Sequence, residues 1–254
     1  MAFCVRLRSP VPTTCVLVYV DLVHDQARQG ESVQIVEAVN ARSAEATGSR
    51  SNPLLAELRQ ATEISHQAIE RNPRLKQLFT SDLSVTAYRQ LLADLLGFYE
   101  PVEAQLDCAA LLLSDADRKA IALTTEGRWK TPWLRHDLRN LGLSDEAIAG
   151  LPRAPRSECP GIEGLPSVIG CLYVLEGATL GGKLISRQIE SCLDITAANG
   201  GRFYHGYGPD NGPMWGRFRQ QLANLDMDAS QTAKITTAAV ETFSALDRWL
   251  MREE

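Results

Sequence analysis

The stretch CLYVLEGATLGGKLISRQI, residues 171–189, decides how this chain is read. It is apolar, free of proline and long enough for five turns of helix, yet Gly177, Gly181 and Gly182 lie in its middle. Each glycine inside a helix costs ~1 kcal/mol relative to alanine, so three together need a reason. One reason is close packing of a second helix, since Gly177 and Gly181 form a G-x-x-x-G pair. The other is a ligand that the bare backbone must approach, with the missing side chains also letting the helix bend.

Outward from this segment the period is helical. Asn52-Pro53 is an N-cap followed by proline at the first helical position. Leu55, Leu58, Thr62, His66 and Ile69 then follow at spacings that place them on one face. The pattern predicts further helices at about 74–80 and from Ser84 onward, the latter long and kinked by Pro101. Shorter ones are expected at about 115–124, 131–141 and 144–149, then 166–192, 213–225 and 229–252, with the turn-rich segment 199–213 as a loop. No useful strand alternation and no internal repeat occur. The expected architecture is an all-α bundle over residues 52–254.

The amino end differs. TTCVLVYVDLV, residues 13–23, is too short to span a bilayer and lacks a cleavage site after it. Residues from about 26 to 51 turn to Glu, Ala, Ser, Arg and Gly, so 1–51 reads as a flexible extension. The 254 residues carry a net charge of −5 without a basic stripe, which argues against nucleic acid as a partner. No membrane association is expected. Six cysteines without a regular framework read as free thiols in a reducing compartment, hence cytoplasmic.

Four histidines are available. His24 lies in the extension, His136 in a charged stretch expected to be solvated, and His205 in the turn-rich segment. His66 lies on the apolar stripe of its helix, and Glu70 stands at i+4, a neighbour on the same surface. The carboxylate can engage one imidazole nitrogen and leave the other for a ligand. A core histidine satisfied by a nearby acid is the plain alternative. No G-x-S-x-G, phosphate loop, dinucleotide fingerprint or H-E-x-x-H is present. One inward histidine is too few for zinc but suffices for a haem iron, which needs a single axial side chain from the protein.

Taken together, LRQATEISHQAIE (58–70), YVLEGATLGGKLI (173–185) and FYHGYGPDNGPMWGRF (203–218) resemble the haem oxygenases, in the form of bacterial members associated with bacteriophytochromes. The resemblance implies a helical bundle with haem sandwiched between a proximal helix and a kinked, glycine-rich distal helix. It assigns His66 as the iron ligand, Glu70 as its orienter and Thr62 as lining the haem face. Arg59 and Arg219 match positions near the propionates, and Gly177, Gly181 and Gly182 match the distal glycines. The implied reaction cleaves haem to biliverdin, carbon monoxide and ferrous iron. It uses O2 and electrons from an external reductase or ferredoxin, and a bacteriophytochrome would receive the biliverdin. Ala178 stands where many haem oxygenases have an aspartate, which motivates an alternative: a haem- or bilin-binding protein without turnover. A thiaminase-like reading would need a cysteine nucleophile, for which Cys171 and Cys192 are the candidates.

Overall fold

The computed structural model describes residues 53–119 and 127–252. Residues 1–51, the Asn52 cap and the end of the helix expected at 115–124 lie outside the described residues; 115–119 are helical. Nine α-helices are labelled here: α1 (Pro53–Glu70), α2 (Pro73–Lys76), α3 (Val85–Leu112), α4 (Thr131–Asn140) and α5 (Asp145–Ala149), followed by α6 (Gly164–Leu193), α7 (Arg202–His205), α8 (Asn211–Ala223) and α9 (Ala229–Met251). Among the described residues there is no strand.

Local chemistry accounts for the helix starts. Ser84 accepts the Ala87 N–H at the head of α3, and Ser144 accepts the Ala147 N–H at the head of α5. Asp228 and Gln231 form a reciprocal capping box on α9. α6 ends at Asp194, a non-glycine residue in the left-handed region with φ 56°.

α3 continues through Pro101. Proline has no N–H, so the carbonyl of Gly97 four residues earlier is released from the helix ladder. That carbonyl accepts the Ala154 N–H at 2.9 Å, which docks the link between α5 and α6 onto α3. Arg153 in the same link pairs with Glu100, which also receives Arg135 from α4.

The core is centred on α6 and α9, whose mutual packing is the most extensive in the bundle. α9 also packs along α1, while α8 touches both α1 and α6. α1 buries Leu54, Leu58, Thr62 and Ile69, and α3 buries most of its residues from Tyr88 to Tyr99. α6 is long and apolar enough to cross a membrane by composition, but most of that apolar stretch is buried inside the bundle.

Two sequence expectations change. The segment 199–213 is not simply a loop: it folds α7 and a 3₁₀ turn at Gly208–Asp210, and α8 already begins at Asn211. The charged stretch around His136 is not uniformly solvated either. His136 is exposed, but the adjacent Asp137 is fully buried and accepts the Arg202 and Phe203 amides at 2.8 and 2.7 Å, capping α7. Burial pushes the Asp137 carboxyl up to about 6, against the pull of those two amides.

Candidate functional site

On α1, His66 lies with Nδ1 at 3.0 Å from Glu70 Oε1. Both of these atoms are shielded from solvent and neither has another partner. The His66 side chain as a whole is nonetheless 38% exposed, so its accessible part is the edge away from Nδ1. The ring also packs on Phe243 of α9, with centroids 5.3 Å apart. One turn earlier, Thr62 is buried and donates its hydroxyl to the Leu58 carbonyl at 2.7 Å, so its methyl is left for packing. Arg59 and Arg219 are both exposed, on α1 and α8 respectively.

The glycines of α6 divide into two kinds. At Gly170, a β-carbon would collide with the Ile235 carbonyl oxygen and stand 2.8 Å from the Ala239 nitrogen, so α9 crosses there on bare main chain. Gly177 lies on nearly the same side of the helix two turns later, because seven residues at 100° come within 20° of two full turns. There the side is open, and the nearest atom to a β-carbon would be Trp215 Cη2 at 4.0 Å. Gly177 and Gly181 are half-buried, as are Tyr173, Leu180 and Leu184 around them. Gly182 is different: a β-carbon there would overlap the Tyr204 carbonyl oxygen and lie 3.1 Å from its carbon. Its bareness therefore has a packing cause in α7. Trp215 and Phe218 of α8 continue the aromatic lining from Tyr173, with centroids 5.7 and 5.5 Å apart in succession. A surface depression lined by Glu163, Ser167, Lys234 and Glu241 of α6 and α9 or the residues just before α6 includes none of these residues.

Sequence reasoning missed a second constellation. Glu176, immediately before Gly177, is 1% exposed and receives Arg128 and Lys130 as ion partners. Tyr207 donates to the same carboxylate at 2.9 Å and lies 3.0 Å from Lys130 Nζ. Lys130 Nζ also donates to the Arg128 carbonyl at 2.6 Å and lies over the Trp133 and Tyr207 rings. Burial presses the Lys130 ammonium below its usual range, against the pull of Glu176. Glu103 of α3 accepts the Lys130 and Thr131 amides at 2.6 and 3.0 Å. The signal was a single carboxylate inside an apolar run, which must find a buried partner.

Burial pushes the Cys171 thiol up to about 12, which holds it as an inert thiol, and Cys192 is exposed with its sulfur against Gln188. No group of three or more His, Cys, Asp or Glu side chains among the described residues could hold a metal ion by itself.

The chain is thus an all-α bundle with a carboxylate-paired, half-exposed imidazole on α1 and a glycine-bared side on α6. The family model described as Heme oxygenase matches residues 52–252, and the chain belongs to that family. Its fold is similar to heme oxygenase-2 from Synechocystis sp. PCC 6803 in complex with heme and NO. That match has 20% identity and a TM-score of 0.61, covering 79% of this chain and 84% of that one. Heme oxygenase-1 from the same cyanobacterium in complex with heme is also similar, at 15% identity, a TM-score of 0.60, and 78% and 90% coverage. No curated protein sequence matches.

Proposed function

We propose that the protein is a haem oxygenase that cleaves haem to biliverdin, carbon monoxide and ferrous iron, using O2 and electrons from an external reductase or ferredoxin. The observation that carries this reading is the His66–Glu70 pair. The carboxylate occupies Nδ1 of a half-exposed ring, so Nε2 would be the atom to hold the iron of haem. The open side of α6 at Gly177 fits a flat ring, because no side chain projects there and Trp215 stands off at 4.0 Å.

Haem, when bound, supplies both the iron that activates O2 and the ring that is oxidised. His66 would hold the group through its imidazole, and Glu70 would fix the ring orientation. Thr62 is buried one turn before His66 and would support the imidazole's helix rather than offer the ring a surface of its own. Gly177 and Gly181 would leave room for the ring and for O2 where side chains would stand, and Gly182 secures that stretch on Tyr204. Arg59 and Arg219, both exposed, would supply forked donors for the propionate carboxylates. The chain has no flavin or nicotinamide motif, which supports dependence on a separate reductase. Its scattered thiols support a cytoplasmic setting, where a bacteriophytochrome would be a receiver of the biliverdin.

Ala178 supports a second reading, a haem- or bilin-binding protein without turnover. It is exposed and offers only a methyl group where many haem oxygenases hold water through an aspartate. One experiment separates the two. Hemin titration is expected to give a Soret band in the wild type and to lose it, or its axial-ligand character, in His66→Ala. Addition of reductase and O2 is then expected to convert the band to biliverdin absorption. A stable Soret band under those conditions selects the second reading, and the absence of any band refutes both.

A further inference from the structure

The Glu176 cluster takes no part in the scheme above, yet it adjoins the bare stretch directly. Between residues 176 and 182 the helix has few side chains with which to resist rotation about its own axis. Gly177, Gly181 and Gly182 have none, Ala178 is exposed, and the Thr179 hydroxyl turns back to the Glu176 carbonyl of its own helix at 2.7 Å. Beside the buried Thr179 and the half-buried Leu180, two lateral restraints act on this stretch. Glu176 directly precedes Gly177 and Gly182 directly follows Gly181, so they flank the bare side by about 100° in either direction. One chain segment grips both: the Tyr204 carbonyl abuts Gly182, and the Tyr207 hydroxyl bonds Glu176. That segment is in turn held by Asp137, which caps α7. Lys130 joins Tyr207 at the same carboxylate oxygen, and Arg128 pairs with the other oxygen.

We propose that Glu176, clamped by Arg128, Lys130 and Tyr207, is a positioning residue that sets the rotation of the bare side of α6 and hence its stand-off from the sixth ligand of haem. This inference rests on the haem-binding reading. Glu176 acts through the helix and not by contact, because its carboxylate faces the interior while the bare side faces the opening. The neighbouring restraint at Gly182 is main chain on main chain, so the clamp is the restraint that side-chain substitution can adjust.

The test is the infrared C–O stretching band of carbon monoxide bound to reduced, haem-loaded protein, a probe of what lies over the sixth position. In Glu176→Gln the band is expected to shift or split while haem affinity stays within about threefold of wild type. Because that change leaves two buried cations short of a counter-charge, Tyr207→Phe, which removes one donor to the same carboxylate, serves as a second variant with a smaller expected shift. If Glu176→Gln fails to fold, Tyr207→Phe decides alone. An unmoved band in every folded variant overturns the inference and leaves the haem reading intact. A wild type that takes up no haem overturns the reading and this inference together.

Discussion

Two alanine substitutions on one helix should move stability in opposite directions. At Gly177 an added methyl meets only Trp215 Cη2 at 4.0 Å, an ordinary van der Waals separation. The substitution then contributes the helix-propensity difference, ~1 kcal/mol in favour of the folded ligand-free protein. At Gly182 the same methyl overlaps the Tyr204 carbonyl oxygen and stands 3.1 Å from its carbon. Main chain cannot rotate aside as a flexible side chain would, and overpacking of this kind costs roughly 1–3 kcal/mol or more, exceeding the propensity gain. For a domain of this size 1 kcal/mol corresponds to roughly 2–4 °C in Tm. Thermal unfolding of the ligand-free protein should therefore place Gly177→Ala a few degrees above wild type and Gly182→Ala below it. The same Gly177→Ala variant should bind haem or its sixth ligand less well, since the methyl fills the space left bare. The reasoning is refuted if Gly182→Ala is as stable as wild type, or if Gly177→Ala loses stability to the same extent.

Two further outcomes are expected. The Asp137 carboxyl, ordinarily near 3.8, is held at about 6, so the native state binds a proton that the unfolded chain has released. The resulting stabilisation is full below about pH 4 and lost as pH rises to about 6, at up to about 1.4 kcal/mol per pH unit. Denaturant titrations across pH 4–7 should show this slope in wild type and not in Asp137→Asn; parallel curves would contradict it. Replacing Arg59 and Arg219 together by alanine should weaken hemin binding and change the ratio of biliverdin isomers, measured by chromatography, without a loss of Tm. Unchanged affinity and isomer ratio would remove both from the propionate role.

Much of the fold was legible because it is written locally. The starts of α3 and α9, and the stripe of α1, follow from caps and from spacing within a few residues of chain. The His66–Glu70 pair was legible for the same reason, since i and i+4 on a helix are neighbours wherever the helix lies. What escaped depends on distant segments. α7 is a four-residue helix whose first amides are capped by Asp137, a group far earlier in the chain. The Glu176 clamp draws on Arg128, Lys130 and Tyr207 from two other segments, and spacing carries no mark of such a meeting. Gly182 could be recognised as unusual, but its cause is a backbone carbonyl, which every residue possesses and which no sequence pattern reveals.

The clamp also limits how the chain can drift. Breaking a buried ion set one partner at a time leaves a stranded charge and costs roughly 3–5 kcal/mol, whereas exchanging the whole set for apolar groups of similar volume is often neutral. Descendants of this sequence should thus carry Glu176, Arg128 and Lys130 together or have lost them together. Intermediates holding two of the three would be the rare ones.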